Sequence, residues 1–439
     1  MAMKRIQLLF ILFLCHASSW AEQDIWTLKQ CIDHALTHNI QIRQQSLQVK
    51  NQEISLNSQK MRRLPNLDAY ANESFGFGRA LTSNNTYANR NTQNTGFGLS
   101  TGIPVFTGFE IKNSTEKARL NLEAALKDLE KAKESLALEI ASYYLNVLYN
   151  KELAEVARLE TESQRLLLKQ TEEFWKNGKK AESEVFEARS LLAQAELSEV
   201  KAAGTYQLAV LDLTQILELD SPENFTIAPV EGDTMAVTLE QPELIFLQAQ
   251  SIKPEIEAEK IRLQSANKQI KIARSGYYPQ ISLSAGIGTS YYKTSGYNSA
   301  SFNQQIKDNF TQNIGLSFNM PLFDRMQTRN AIRTAKVQYS LQQLQLEDVQ
   351  KKLYKEIQQA YYNAETARSQ FRSCQSALVA AESAYQLMQG KYLNGKATST
   401  ELQNQRTQWL KASSEQIRAK YEWILRKKIL DFYAGRKIE

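Results

Sequence analysis

The sequence predicts a chain of mixed α and membrane-β class, laid out as a duplicated helix–strand–strand–helix repeat. Three observations carry that prediction. All eight prolines fall outside 105–221 and 322–439, which leaves two tracts free to be long helices. Four segments of about ten residues alternate apolar side chains with small or polar ones. Many residues of the first half recur 217 positions later.

At the amino terminus, Lys4 and Arg5 precede the apolar run "IQLLFILFLC" (6–15), and "SWA" (19–21) places small residues where a signal peptidase cuts. Residues 1–21 therefore read as a signal peptide, and the chain as exported. Leu14, before Cys15, is bulky where a lipoprotein signal needs a small residue. After Ala21 no apolar run approaches the roughly 20 residues of a membrane helix, so the expected locations are periplasm, exterior or a β-barrel. The formal charge of +6 falls to +4 without Lys4 and Arg5, which is no argument for nucleic acid as a partner. Cys31 and Cys374 are the only cysteines beyond the signal, which excludes a disulfide framework and leaves at most one bridge.

The strands come next. Pro65 and Pro279 precede alternating segments and Pro104 and Pro321 close them, giving strands near 67–77, 95–105, 281–291 and 310–320. In the third, Ile281, Leu283, Ala285, Ile287 and Tyr291 face one way and Ser282, Ser284, Gly286, Gly288 and Ser290 the other. Each run has about the 9–11 residues of a tilted membrane strand. Tyr277, Tyr278, Tyr291 and Tyr292 bracket the third strand as an interfacial belt would. Half-buried strands of a soluble sandwich show the same alternation, so that reading stands beside the membrane one. Polar loops (79–94 and 292–309) join each pair. Four strands cannot close a barrel, since the smallest use about eight, so membrane strands here must be pooled between chains.

The proline-free tracts carry helical periodicity. Leu353, Ile357, Ala360, Ala364, Ala367, Phe371, Cys374, Leu378, Ala381 and Tyr385 step mostly by fours and threes, the seam of a coiled coil. Leu122, Leu126, Leu129, Leu136, Ile140, Tyr144 and Val147 do so in the first tract. A helix unbroken from near 109 to 172 would be about 95 Å long. Pro222, Pro229, Pro242 and Pro254 crowd into one connector.

The spacing of 217 relates Pro104 to Pro321, Tyr144 to Tyr361, Arg189 to Arg406 and the Asn-Gly-Lys of 177–179 to that of 394–396. A spacing of 214 relates Asn39 to Lys253 and Pro65 to Pro279. The layout is then a first repeat over 22–221 with a turn near 176–180, a connector over 222–253, and a second repeat over 254–439 with a turn near 393–397. Asn-Gly suits such turns because both residues tolerate positive φ.

This order of elements resembles the TolC-like outer membrane factor family, the exit ducts of tripartite efflux pumps and type I secretion systems. The stretches "WTLKQCIDHALTHNIQIRQ" (26–44), "YYPQISLSAGIG" (277–288), "MPLFD" (320–324) and "KEIQQAYYNA" (355–364) are similar to that family's characteristic segments. The resemblance covers essentially the whole mature chain. It implies a homotrimer that pools its strands into a 12-stranded outer membrane β-barrel, continued by a long periplasmic α-helical barrel. The connector and the C-terminal segment would form a belt around it. The implied function is a passive outer membrane duct. Its partners would be a periplasmic adaptor, an inner-membrane pump of RND, ABC or MFS type, and outer membrane lipid.

By the same resemblance the turns Asn177, Gly178, Lys179 and Asn394, Gly395, Lys396 would dock the adaptor, with flanks more polar than the family's usual apolar ones. Glu184, Tyr392 and Glu401 would form the periplasmic constriction, where carboxylates favour cations by Coulomb focusing. Read as residues alone, the turns also suit plain solvated loops and the glutamates a solvated helix face. The rival architecture is a periplasmic coiled-coil scaffold or adaptor with a soluble β domain. Cys31, His34 and His38 share metal-ligand spacing on one helix face but lack a fourth ligand, so no metal site is expected. No phosphate loop, HExxH or nucleophile elbow is present, and the expectation is neither an enzyme nor a cofactor protein.

Overall fold

The computed structural model describes residues 25–81, 85–223, 225–230, 238–436 and 438. The signal-peptide reading of 1–21, with Cys15 and His16, lies outside the described residues, as does part of the connector (231–237). In chain order the first elements are β1 (Ile25–Trp26), α1 (Leu28–His38), α2 (Ile40–Met61), β2 (Asn66–Gly76), β3 (Arg79–Leu81), β4 (Tyr87–Asn89), β5 (Thr92–Thr107), α3 (Glu110–Lys176) and α4 (Glu182–Ile216). They continue with β6 (Thr226–Ile227), α5 (Pro242–Ile252), α6 (Pro254–Arg274), β7 (Gln280–Thr294), α7 (Phe302–Asp308), β8 (Thr311–Asn319), α8 (Gln327–Leu393) and α9 (Ser399–Tyr433). Both bounds of α3 recur in α8, and both bounds of α4 in α9, at a spacing of 217. The chain divides into two compact units.

One unit, Leu47–Asp128 with Glu255–Asp348, holds an antiparallel sheet of order β2-β5-β7-β8. Its register aligns Ala69 with Leu99, Leu99 with Ile287, Ile103 with Leu283, and Leu283 with Leu316. Apolar side chains of all four strands therefore share one face. That face is uncovered in the single chain, with Leu67, Ile314, Leu316 and Phe318 each more than 60% exposed. A soluble sandwich buries such a face, so this one asks for another apolar medium.

Three expectations about this unit change. β5 and β7 run to 16 and 15 residues, past the predicted ends. The sheet continues through Pro104 because a bulge at Val105 absorbs the shift in register. The connecting loops also contain short elements, the β3–β4 pair and α7. Ser301 caps α7, accepting from the Gln304 N–H at 3.3 Å, and the Asn309 amide fastens it to the Ser290 carbonyl of β7 at 2.7 Å. Leu126, placed on the apolar seam, is 43% exposed, and nearby Ala124 is the buried residue instead.

The other unit comprises the described residues within Met1–Ser46, Leu129–Pro254 and Val349–Glu439. Cys31, Ile140, Tyr144, Leu213 and Leu217 lie at the centre of its core, where α1, α3 and α4 meet. β1 and β6 pair in parallel, and the Tyr144 hydroxyl lies 3.0 Å from the Trp26 carbonyl and 2.6 Å from that of Ala228. Burial pushes the Tyr144 phenol up from its ordinary value. Asn39 caps α2 by accepting from the backbone of Gln41 and Ile42, and its amide donates to the Ile216 carbonyl at 3.1 Å. The predicted α8 seam is buried at Leu353, Ile357, Ala360, Ala364, Ala367 and Tyr385, while Cys374 is only half-buried.

Candidate gate and docking site at the two helix turns

α3 and α8 end alike. The Lys179 N–H reaches back to the Phe174 carbonyl at 2.8 Å and the Gly178 N–H to that of Trp175 at 2.9 Å. At the second turn Lys396 bonds Lys391 at 2.8 Å and Gly395 bonds Tyr392 at 3.0 Å. This is a Schellman ending, which satisfies the last carbonyls of a helix and needs one residue at positive φ. Gly178 and Gly395 supply it, both at φ +70°. Asn177 and Asn394 do not adopt positive φ, so the glycine alone supplies the left-handed residue of each turn. Their side-chain amides instead donate to the carbonyls of Glu173 and Gly390, at 2.8 and 2.7 Å.

The starts of α4 and α9 differ. Thr398 caps α9 with a full capping box, its hydroxyl accepting from the Glu401 N–H while the Glu401 carboxylate accepts from the Thr398 N–H at 2.8 Å. Those hydrogen bonds hold the Glu401 carboxyl below the usual range. The matched residue in the first half is Ala181, which offers no side-chain cap. Glu184, matched to Glu401, instead pairs with the Lys180 ammonium at 2.9 Å.

Lys180 also brings the two turns together. Its ammonium donates to the Tyr392 hydroxyl and lies 4.1 Å from the centre of that ring. Burial alone would lower its pKa, but the bonds to Glu184 and Tyr392 outweigh that and raise it. Ser399 adds a second tie, donating to Glu187 at 3.0 Å. Farther along the helices, Arg406 is 2% exposed and pairs with Glu160 of α3 at 2.8 Å, and Tyr385 stacks on Trp409 at 5.2 Å.

The structure thus joins Glu184 and Tyr392 through Lys180, ties Glu401 to its own helix start, and leaves both Asn-Gly-Lys triplets exposed. Sequence reasoning missed Lys180, whose partner lies 212 positions away. It also missed Trp175, Phe186 and Leu393, apolar residues exposed beside the turns by 41%, 59% and 54%. Their closeness to the turn glycines was the available signal. Elsewhere, the rings of His34 and His38 stack at 4.1 Å and Cys31 is buried, and no group of three or more metal-ligating side chains forms among the described residues.

A family model described as outer membrane efflux protein matches residues 31–218 and again 247–436. Outer membrane protein TolC of Escherichia coli is 25% identical over 303 residues, spanning 66% of this chain and 59% of TolC. The alkaline protease secretion protein AprF of Pseudomonas aeruginosa is 20% identical over 310 residues, 69% of this chain and 62% of AprF. The chain thus spans about three-fifths of the length of these curated relatives. In fold it is similar to the Campylobacter jejuni CmeC outer membrane channel, with TM-score 0.75 at 19% identity over 95% of this chain and 87% of CmeC.

Proposed function

The chain belongs to the outer membrane efflux protein family and is an outer membrane protein, and from that premise we propose that it is the exit duct of an efflux or type I secretion system. The observation that carries this reading is the sheet of β2, β5, β7 and β8. Its apolar face is uncovered, and among the described residues its two edge strands have no outer neighbour and no helix is long and apolar enough to cross a membrane. Both needs are met at once if three chains join edges into a 12-stranded barrel with that face on lipid. The equal helices spaced by 217 and the twofold match to one family model support a duplicated repeat. The long helices then form the periplasmic barrel, whose closed end lies at the two turns.

In that setting Glu184, Tyr392 and Glu401 stand at the constriction, with Lys180 as the residue that holds it narrow. The exposed triplets Asn177-Gly178-Lys179 and Asn394-Gly395-Lys396 dock the adaptor, assisted by the apolar shoulders Trp175, Phe186 and Leu393. An inner-membrane pump of the RND, ABC or MFS type drives transport, and cargo selection lies with it. The relation to AprF, a secretion protein by description, keeps secretion alongside efflux. Carbonate extraction tests the duct against a scaffold with a soluble β domain. A duct stays in the membrane fraction, crosslinks to a trimer and conducts in planar bilayers. Release by carbonate as a soluble chain sinks the reading.

A further inference from the structure

Within the unit that holds β1 and β6, a cavity of about 370 Å³ opens among α1, α3, Lys253 and the chain that follows α9. It is remote from the turns, since Lys133 on its wall and Lys176 at the turn stand about 65 Å apart along α3. Ile32, Leu36, Ala137 and Phe432 give it an apolar lining. Its charged residues are Lys29, Lys133, Lys253 and Arg436 against Asp33 and Glu134.

Lys253 is the unusual member. It is 4% exposed and lines the cavity, and its ammonium stands 3.0 Å from the Glu134 carboxylate and 3.3 Å from the centre of the Phe432 ring. Arg436 is paired with two carboxylates, those of Asp431 at 2.7 Å and of Glu240. Lys29 and Lys133 are exposed and make no ion pair among the described residues. The wall therefore presents the ammonium groups of Lys29 and Lys133 next to an aromatic and aliphatic lining, in a volume suited to a small organic molecule.

We propose that this cavity binds a small amphipathic anion, an aromatic or short aliphatic body bearing a carboxylate or sulfonate. The body lies against Ile32, Leu36 and Phe432, and the anionic group meets Lys29, Lys133 and Lys253. Such a ligand ties α1 and α3 to the end of the chain and stabilises the folded state by mass action. The proposal stands independently of the duct reading.

Calorimetry on the full-length protein in neutral maltoside micelles tests it with three probes: 2-naphthalenesulfonate, 2-naphthylmethylammonium and sodium sulfate. The sulfonate is expected to bind saturably and more weakly as salt rises, and the matched cation not to bind. The exposed double variant Lys29→Glu/Lys133→Glu should weaken sulfonate binding about tenfold or more, with the ligand-free melting temperature unchanged. Ala137→Phe should block it by filling the cavity. Equal binding of the naphthyl cation, or wild-type affinity in the double variant, overturns the proposal. Sulfate binding as tight as the sulfonate overturns the amphipathic class.

Discussion

Lys180 and Tyr392 meet across the two turns, the ammonium donating to the phenol and standing 4.1 Å from the ring centre. Lys180 also pairs with Glu184, so one side chain holds both an acidic and an aromatic member of the candidate constriction. Lys180→Met removes both contacts, whereas Tyr392→Phe removes only the hydrogen bond and keeps the cation over the ring. Single-channel recording should therefore show more frequent opening in Lys180→Met than in Tyr392→Phe, and more in either than in the parent. Indistinguishable traces would remove this link from the gate.

Because Lys180 offsets Glu184, charge at the proposed constriction depends on the pair. Glu184→Gln leaves the lysine uncompensated and should lower cation preference, as should Glu401→Gln. The double variant Lys180→Met/Glu184→Gln keeps the net charge of the parent and should return the reversal potential in a salt gradient toward the parent value. A reversal potential unmoved by both glutamine variants would place these carboxylates away from the pore.

The capping box gives the second turn a dependence on acidity with a defined sign. The Glu401 carboxyl is held below its ordinary value by the Thr398 backbone and hydroxyl. Its contribution is complete above the unfolded pKa, about 4.3, and is lost as pH falls through the depressed folded value. The melting temperature of Glu401→Gln should thus lie below the parent's at pH 7, and the gap should close in acid. A gap that widens in acid would contradict the capping role.

Cys31 and Cys374 are both free thiols, so the single bridge left open by the sequence does not form. Burial pushes the Cys31 thiol up to about 12, which keeps it protonated at neutral pH and unreactive. In the folded protein at pH 8, maleimide should modify Cys374 well before Cys31, and both at similar rates in denaturant. Mass spectrometry of the peptides reads the order directly.

Asn39, 5% exposed, serves two helices at once, capping α2 and satisfying the last turn of α4. Asn39→Ala leaves the Ile216 carbonyl without its donor and should cost about 1–3 kcal/mol. Asn39→Asp keeps the cap but not the donor, and should lose less in chemical denaturation. Equal losses would mean that the cap contributes little.

The long helices were legible because proline is absent from their tracts, and the strands because Leu283, Ala285 and Ile287 alternate with Ser284 and Gly286. The end of β5 was hidden because Pro104 looked like a stop, while the bulge at Val105 carries the sheet on to Thr107. α7 was hidden in a polar loop, since one capping serine is a weak signal over seven residues. At the turns, the Asn-Gly-Lys triplets were visible as repeated text. Lys180 was not, because its role depends on a tyrosine from the other half of the chain, which only tertiary structure brings near. The unlike duties of Glu184 and Glu401 rest on Ala181 against Thr398, a difference at one matched position.

α3 and α8 are each 67 residues long, and α4 and α9 each 35. This equality restricts how the gene can drift. Deleting one codon within α3 retracts its turn by about 1.5 Å and swings it by about 100° about the helix axis, which turns Lys180 away from Tyr392. The same deletion in α8 alone misplaces the tyrosine. Substitutions can therefore accumulate separately in the two halves, whereas insertions and deletions in these helices survive only as matched pairs or as whole repeats of the helical period.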